Sequence, residues 1–259
     1  MRVIGFPTPH EAIRYYRDGS SNSTEWPKIE GRLDALVLLL LSFCPYLTSI
    51  HLGTAFRKHS ELFGPFLRTA IISPESNNLP SKTFHRLSKV EFGLDYMSNH
   101  HFCGETTADA LSFFHLPDLQ HLQLALNDPE RITWPANMTP SSVPKITSLS
   151  LLGPRERQLG QLLAPLRRLR SLQWRCCLRW FRPDPEIFDL DIMVDSLQQA
   201  KELRDLVIGI CATEIWRPEF AFQGNLNNFA DGMPSLRRLQ IPFALVMGLR
   251  PCANSLKTV

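Results

Sequence analysis

The sequence has no C-x-x-C pair, no long apolar run and little excess charge, and each shortage removes a class of protein. Six cysteines at 44, 103, 176, 177, 211 and 252 lack the spacing of a zinc site or a thioredoxin-type redox pair. The longest apolar run is ALVLLLL, Ala35 to Leu41. It falls far short of the ~18 residues a membrane span needs and is expected as the flank of a buried helix. The opening MRVIGFPTPHEAIRYYRDG offers no apolar h-region and no small-residue cleavage site. A cytoplasmic or nuclear protein with reduced thiols is therefore expected, with no membrane partner, and the Asn22 and Asn137 sequons are discounted. Formal net charge is only +3, whereas a dedicated nucleic-acid binder concentrates a stronger imbalance on one face. No G-x-S-x-G elbow, P-loop or G-x-G-x-x-G is present. Catalysis and a cofactor are not expected.

What is abundant is leucine, in one recurring frame. Seven segments read L-x-x-L-x-L with apolar residues at all three positions: Leu47/Ile50/Leu52, Leu87/Val90/Phe92, Leu119/Leu122/Leu124, Ile146/Leu149/Leu151, Leu169/Leu172/Trp174, Leu203/Leu206/Ile208 and Leu236/Leu239/Ile241. An eighth begins at Leu256 and reaches Val259, as expected of a truncated array or a fragment. The frame alone is weak, because a chain that is 44% hydrophobic produces roughly twenty such triplets by chance. Three features strengthen it. Proline stands two residues before the opening position in four of the seven frames (Pro45, Pro117, Pro144, Pro234), where chance predicts about half of one. There it stops a helix and biases its neighbour toward extended backbone. The ninth position holds Asn127, Cys177 and Cys211, with Asp95 a weaker match, as a leucine-rich repeat prefers. Helix-like stretches precede or separate the frames: GRLDALVLLLLSF, TTADALSFF, RERQLGQLLAPL and PEIFDLDIMVDSLQQAKEL. In the last, Ile187, Leu190, Val194 and Leu197 share one helical face.

The expected fold class is thus α/β, a leucine-rich-repeat solenoid with irregular repeats of about 30 residues. A parallel sheet would line its concave face and helices its outside. An irregular segment, 1–29, would precede a repeat domain, 30–259. In this frame Leu172 and Trp174 face the core, Cys176 faces inward after them, and Ser171, Gln173 and Arg175 face the concave side.

The outward column supplies the candidate protein-binding residues: His51, Lys89, Glu91, His121, Gln123, Gln173, Arg175, Asp205, Arg238 and Gln240. It is polar and mixed in sign, which suits a protein or peptide ligand better than a phosphate-rich one. The small neighbours Gly53, Gly93, Ala125 and Gly209 would let a partner backbone approach. The competing reading is a nucleic-acid surface on the basic segment Arg167 to Arg182. It is weakened because Trp174 belongs to the core, leaving Trp180 alone to stack on a base. HHFC, His100 to Cys103, is the best metal candidate, yet adjacent histidines on a strand point to opposite faces and no second ligand pair has the right spacing. No metal is expected.

Two phrases carry a family resemblance. GNLNNFADGMPSLRRLQIPFALVMGLRPCANSLKTV, Gly224 to Val259, resembles the end of the repeat array in fungal F-box and leucine-rich-repeat-like proteins. The match is carried by Leu226, Phe229, Leu236, Leu239, Ile241, Pro242, Leu245, Gly248, Ser255 and Leu256. LLLLSFCPYLTSIHLG, Leu38 to Gly53, resembles the phrase that opens the array. The resemblance spans about residues 30–259 and its motifs are structural. It implies a non-catalytic protein–protein interaction scaffold related to the substrate-recognition subunits of cullin-based ubiquitin ligases. In that family an F-box docks the ligase adaptor. Its L-P-x-E-[IL] start has no counterpart before Gly31, so the resemblance does not extend to an adaptor as partner.

Overall fold

A computed structural model describes residues 36–53 (except 42 and 45), 66, 84, 86–93, 107–126, 132, 134, 144–178, 187–212 and 221–245 (except 227, 228, 230 and 244). The chain divides into two compact units. The first comprises Met1–Tyr96, Cys103–Leu124 and Thr133–Lys145; the second, Met97–Phe102, Ala125–Ile132 and Ile146–Val259. Both are α/β and every described strand pairing is parallel. The 1–29 segment lies outside the described residues.

In the first unit, three short strands form a ladder: β1 (Ser49–Leu52), β2 (Lys89–Phe92) and β3 (His121–Ala125). They pair in frame register, Ile50 with Val90 and Val90 with Leu122. Alternation decides the sides. Ile50, Leu52, Val90, Phe92, Leu122 and Leu124 are buried, whereas Ser49, His51, Lys89 and His121 between them are exposed. Each frame enters its strand in the same way. The carbonyl after the opening leucine accepts two amides of the next rung: Thr48 from Ser88 and Lys89, and Ser88 from Gln120 and His121. That repeated junction satisfies the backbone where the chain turns.

Helix α1 (Thr107–Ser112) runs into a 3-10 turn at Phe113–His115 and stops because Leu116 precedes Pro117. Leu116 has φ −69 and ψ 128, the extended backbone that a following proline imposes. Phe113 and Phe114 are buried there, Phe113 against Phe92 at 5.6 Å and Phe114 edge-on to Trp134 at 5.3 Å. Residues 36–41 are helical. Of the apolar run, Leu38 and Leu41 are buried and Leu36 and Leu40 are exposed, so one face alone is in the core.

His115 is half-buried edge-on to Trp134, ring centroids 6.4 Å apart. Its Nε2 has no hydrogen-bond partner among the described residues, and burial pushes the ring's pKa below its ordinary value. Between that lowered value and about 6.5 the unfolded chain binds the extra proton and the folded chain resists it. Stability should therefore fall as pH drops through this window. Melting temperatures across it should decline in the wild type more than in His115→Phe, and parallel declines would contradict the assignment.

The second unit carries four strands in the order β4 (Ser148–Gly153), β5 (Ser171–Leu178), β7 (Asp205–Ala212) and β9 (Arg238–Gln240). The frame register holds again: Leu149 pairs with Leu172, Leu172 with Leu206, and Leu206 with Leu239. Helix α2 (Glu156–Leu163) follows β4 and helix α3 (Leu190–Leu197) precedes β7. Leu159, Leu162 and Leu163 of α2 are buried, as are Met193, Val194 and Leu197 of α3. Gln158 Oε1 accepts from the Arg155 amide at 2.6 Å and closes the first turn of α2.

Two expectations are corrected here. Ile187 is not on the α3 face. Ile187–Asp189 is a strand, β6, paired in parallel with β8 (Ala221–Gln223) in a second, two-stranded sheet. Asp189 ends that strand and caps α3, its Oδ1 accepting from the Ile192 amide at 3.0 Å, so the helix starts three residues later. The seventh frame keeps its register but not its burial: Leu239 is 45% exposed. β9 is the last strand of its ladder, and an outermost rung has a neighbour on one side only.

Candidate interaction surface

The outward side chains follow from the pleat. Wherever an inward residue is buried in a rung, its neighbours project to the other face at the ~4.8 Å interstrand spacing. In the first unit this places Ser49, Lys89 and His121 in one row and His51, Glu91 and Gln123 in the next. Glu91 is the hub. Its Oε1 meets Lys89 Nζ at 2.7 Å and its Oε2 meets His51 Nδ1 at 2.7 Å. The hydrogen bond from Lys89, and after it the one from His51, holds the Glu91 carboxyl below the usual carboxylate range. His51 and Lys89 are exposed and Glu91 half-buried, so the network fixes side-chain geometry more than it stabilises the fold. His121 is exposed and Gln123 half-buried on the same side.

In the second unit one row is Ser148, Ser171, Asp205 and Arg238, and the next is Ser150, Gln173, Val207 and Gln240. Arg238 and Gln240 are exposed; Gln173 and Asp205 are half-buried. Arg175 occupies the third row between Leu152 and Gly209. Five of the ten candidates belong to the first unit and five to the second.

Two of the small positions expected to admit a partner serve the chain itself. A Cβ on Gly209 would lie 3.1 Å from Arg175 Cγ, so the missing side chain there makes room for the arginine stem. Gly93 is buried with φ 74, and its amide donates to the Leu52 carbonyl at 2.8 Å. Only glycine adopts that turn without strain. Ala125 is buried as well.

The basic segment is divided by the fold. Arg167, Arg168 and Arg170 are exposed at the entry turn, Arg175 is half-buried on the strand, and Trp174 is fully buried. Arg179, Trp180 and Arg182 lie outside the described residues, as do His100, Cys103 and Asn127. Cys176 is buried, facing inward as the frame requires. Among the described residues no group of three or more His, Cys, Asp or Glu could hold a metal ion, and no helix is long and apolar enough to cross a membrane.

A buried charged pair escaped the reading of the sequence. Glu156, fully buried in the first turn of α2, accepts from Arg155 Nε at 3.0 Å. Arg155 also donates through Nη2 to the Ile187 carbonyl at 3.0 Å and lies over the Phe188 ring at 5.9 Å. The pair ties the start of α2 to β6. The neighbouring letters RER look like a solvated face, and nothing local marks them as interior.

The chain is thus an α/β protein built on parallel ladders, apolar on one side and polar on the other. Compared with protein-family models, curated proteins and solved structures, it returned no match.

Proposed function

We propose that the protein is a non-catalytic scaffold of the leucine-rich-repeat type, which docks another protein on the polar face of its ladders. In this reading the frames are turns of a solenoid, and the chain is related to the substrate-recognition subunits of cullin-based ubiquitin ligases. The observation that carries the reading is the division of sides. Inward positions from Leu87 to Ile208 are buried almost completely, while outward positions in the same strands are mostly polar, Val207 and Leu152 excepted, and in register. A row of fixed, solvent-reaching polar groups over a rigid ladder is the kind of surface that binds a protein with few ordering costs. The repeated amide pair on the carbonyls of Thr48, Ser88, Thr147, Arg170 and Arg204 supports the rungs as one kind of unit.

A photo-crosslinking side chain at Gln123 or Gln173, with a control at exposed Ile192 on α3, tests it directly. Protein adducts should form at the two strand positions, survive nuclease treatment, and be absent from the helix position. Adducts consisting of RNA alone, or equal protein labelling from Ile192, would refute the reading.

A further inference from the structure

The entry rim of the second unit's ladder carries a column of arginines that no short stretch of sequence contains. Arg170, Arg204 and Arg237 each stand one residue after the opening position of successive frames. The Arg204 amide donates to the Arg170 carbonyl at 2.7 Å, and the Arg237 amide to the Arg204 carbonyl at 2.8 Å. Their backbones are therefore stacked rung on rung, about 4.8 Å apart, and all three side chains are exposed. Arg167, Arg168, Lys201 and Arg238 flank them, giving seven cations against two carboxylates, Glu202 and Asp205. Glu202 reaches Arg170 at 4.0 Å, the limit of an ion pair, and Asp205 is half-buried.

In the first unit the residues one after the opening positions, Thr48, Ser88 and Gln120, carry no charge. There the residues just before the opening positions are matched between rungs: Arg86 lies over the Tyr46 ring at 4.8 Å, and Lys145 meets Asp118 at 2.6 Å. Like charges stacked at rung spacing repel, and an incoming anion relieves that repulsion.

We infer that this rim binds an acidic helical segment of a protein partner, with guanidinium forks of Arg170, Arg204 and Arg237 on its carboxylates. Carboxylates at i and i+4 of a helix are about 5–6 Å apart, close to the rung spacing, and long arginine stems absorb the difference. The planar forks match carboxylate geometry. Residues 167–170, 201–205 and 235–238 include no aromatic, so the rim lacks the stacking platform that single-stranded nucleic acid uses. The inference rests on the protein-docking reading above and names its partner's chemistry.

Fluorescence anisotropy of the full chain with a synthetic helical peptide bearing Glu at every i and i+4 position tests it. Binding should weaken with added salt. It should weaken about tenfold or more in Arg204→Glu and again in Arg237→Glu, two exposed sites where melting should not change. Equal binding of the Glu→Gln peptide, unchanged binding in both variants, or tighter binding of oligouridine than of the acidic peptide would overturn it. Peptide binding without crosslinks at Gln123 or Gln173 would remove the outward-face reading alone. Crosslinks there without peptide binding would remove this inference alone.

Discussion

Replacing Trp174 by alanine should destabilise the chain by about 3–5 kcal/mol, near the upper end for a single core truncation. Three interactions converge on that indole. It occupies the inward row between Leu151 and Ile208 and is fully buried. Its Nε1–H donates to the Pro154 carbonyl at 2.9 Å. Its ring lies nearly parallel to Phe188 of the second sheet, centroids 6.0 Å apart and planes 28° from each other. Phe188 in turn meets Phe222 edge-on at 5.9 Å, so the cavity would open beneath both strands of that sheet. Trp174→Phe should cost less, because it keeps most of the apolar contact and loses chiefly the Pro154 bond. Denaturant unfolding separates the two. A loss under about 1 kcal/mol for Trp174→Ala would place the residue outside the core.

Arg155→Ala should cost a comparable amount, about 3–5 kcal/mol, by a different route. It leaves the Glu156 carboxylate buried opposite a truncated partner, since the remaining cation, Arg157, approaches no nearer than 3.8 Å. It also removes the donor to the Ile187 carbonyl. A buried pair is not necessarily stabilising against an apolar replacement, which gives the check its second arm. Arg155→Leu combined with Glu156→Leu should recover most of the loss. Equal loss in the single and double variants would mean that the uncompensated charge is not the cause.

Much of the architecture was legible because the period-two pattern is local. In six of the seven frames the structure buries both strand residues that the sequence turns inward, and proline marks where the preceding chain must stop. Long-range facts were not legible in that way. Ile187 fits a helical period with Leu190 and Val194, yet strand pairing with Ala221 removes it from the helix. Asp189, a capping residue three before Ile192, was the overlooked signal for the true start. Leu239 carries the frame but not the burial, because burial depends on a neighbour and not on the residue itself. The candidate surface was readable as a column of outward positions. The arginine rim was not seen because its members are about 33 residues apart and precede the strands proper. Only the fixed rung register brings them together.

The division of each ladder into a structural side and an exposed side is tested most directly by one pair of thermal unfolding curves. Leu206 and Gln173 sit on the adjacent paired strands β7 and β5, the first fully buried and the second on the polar face. Leu206→Ala should lose about 2–5 kcal/mol and melt roughly 5–15 °C lower. Gln173→Ala should stay within about 0.5 kcal/mol of the parent. Equal shifts in the two variants, or a larger one for Gln173→Ala, would contradict the sidedness on which the docking reading stands.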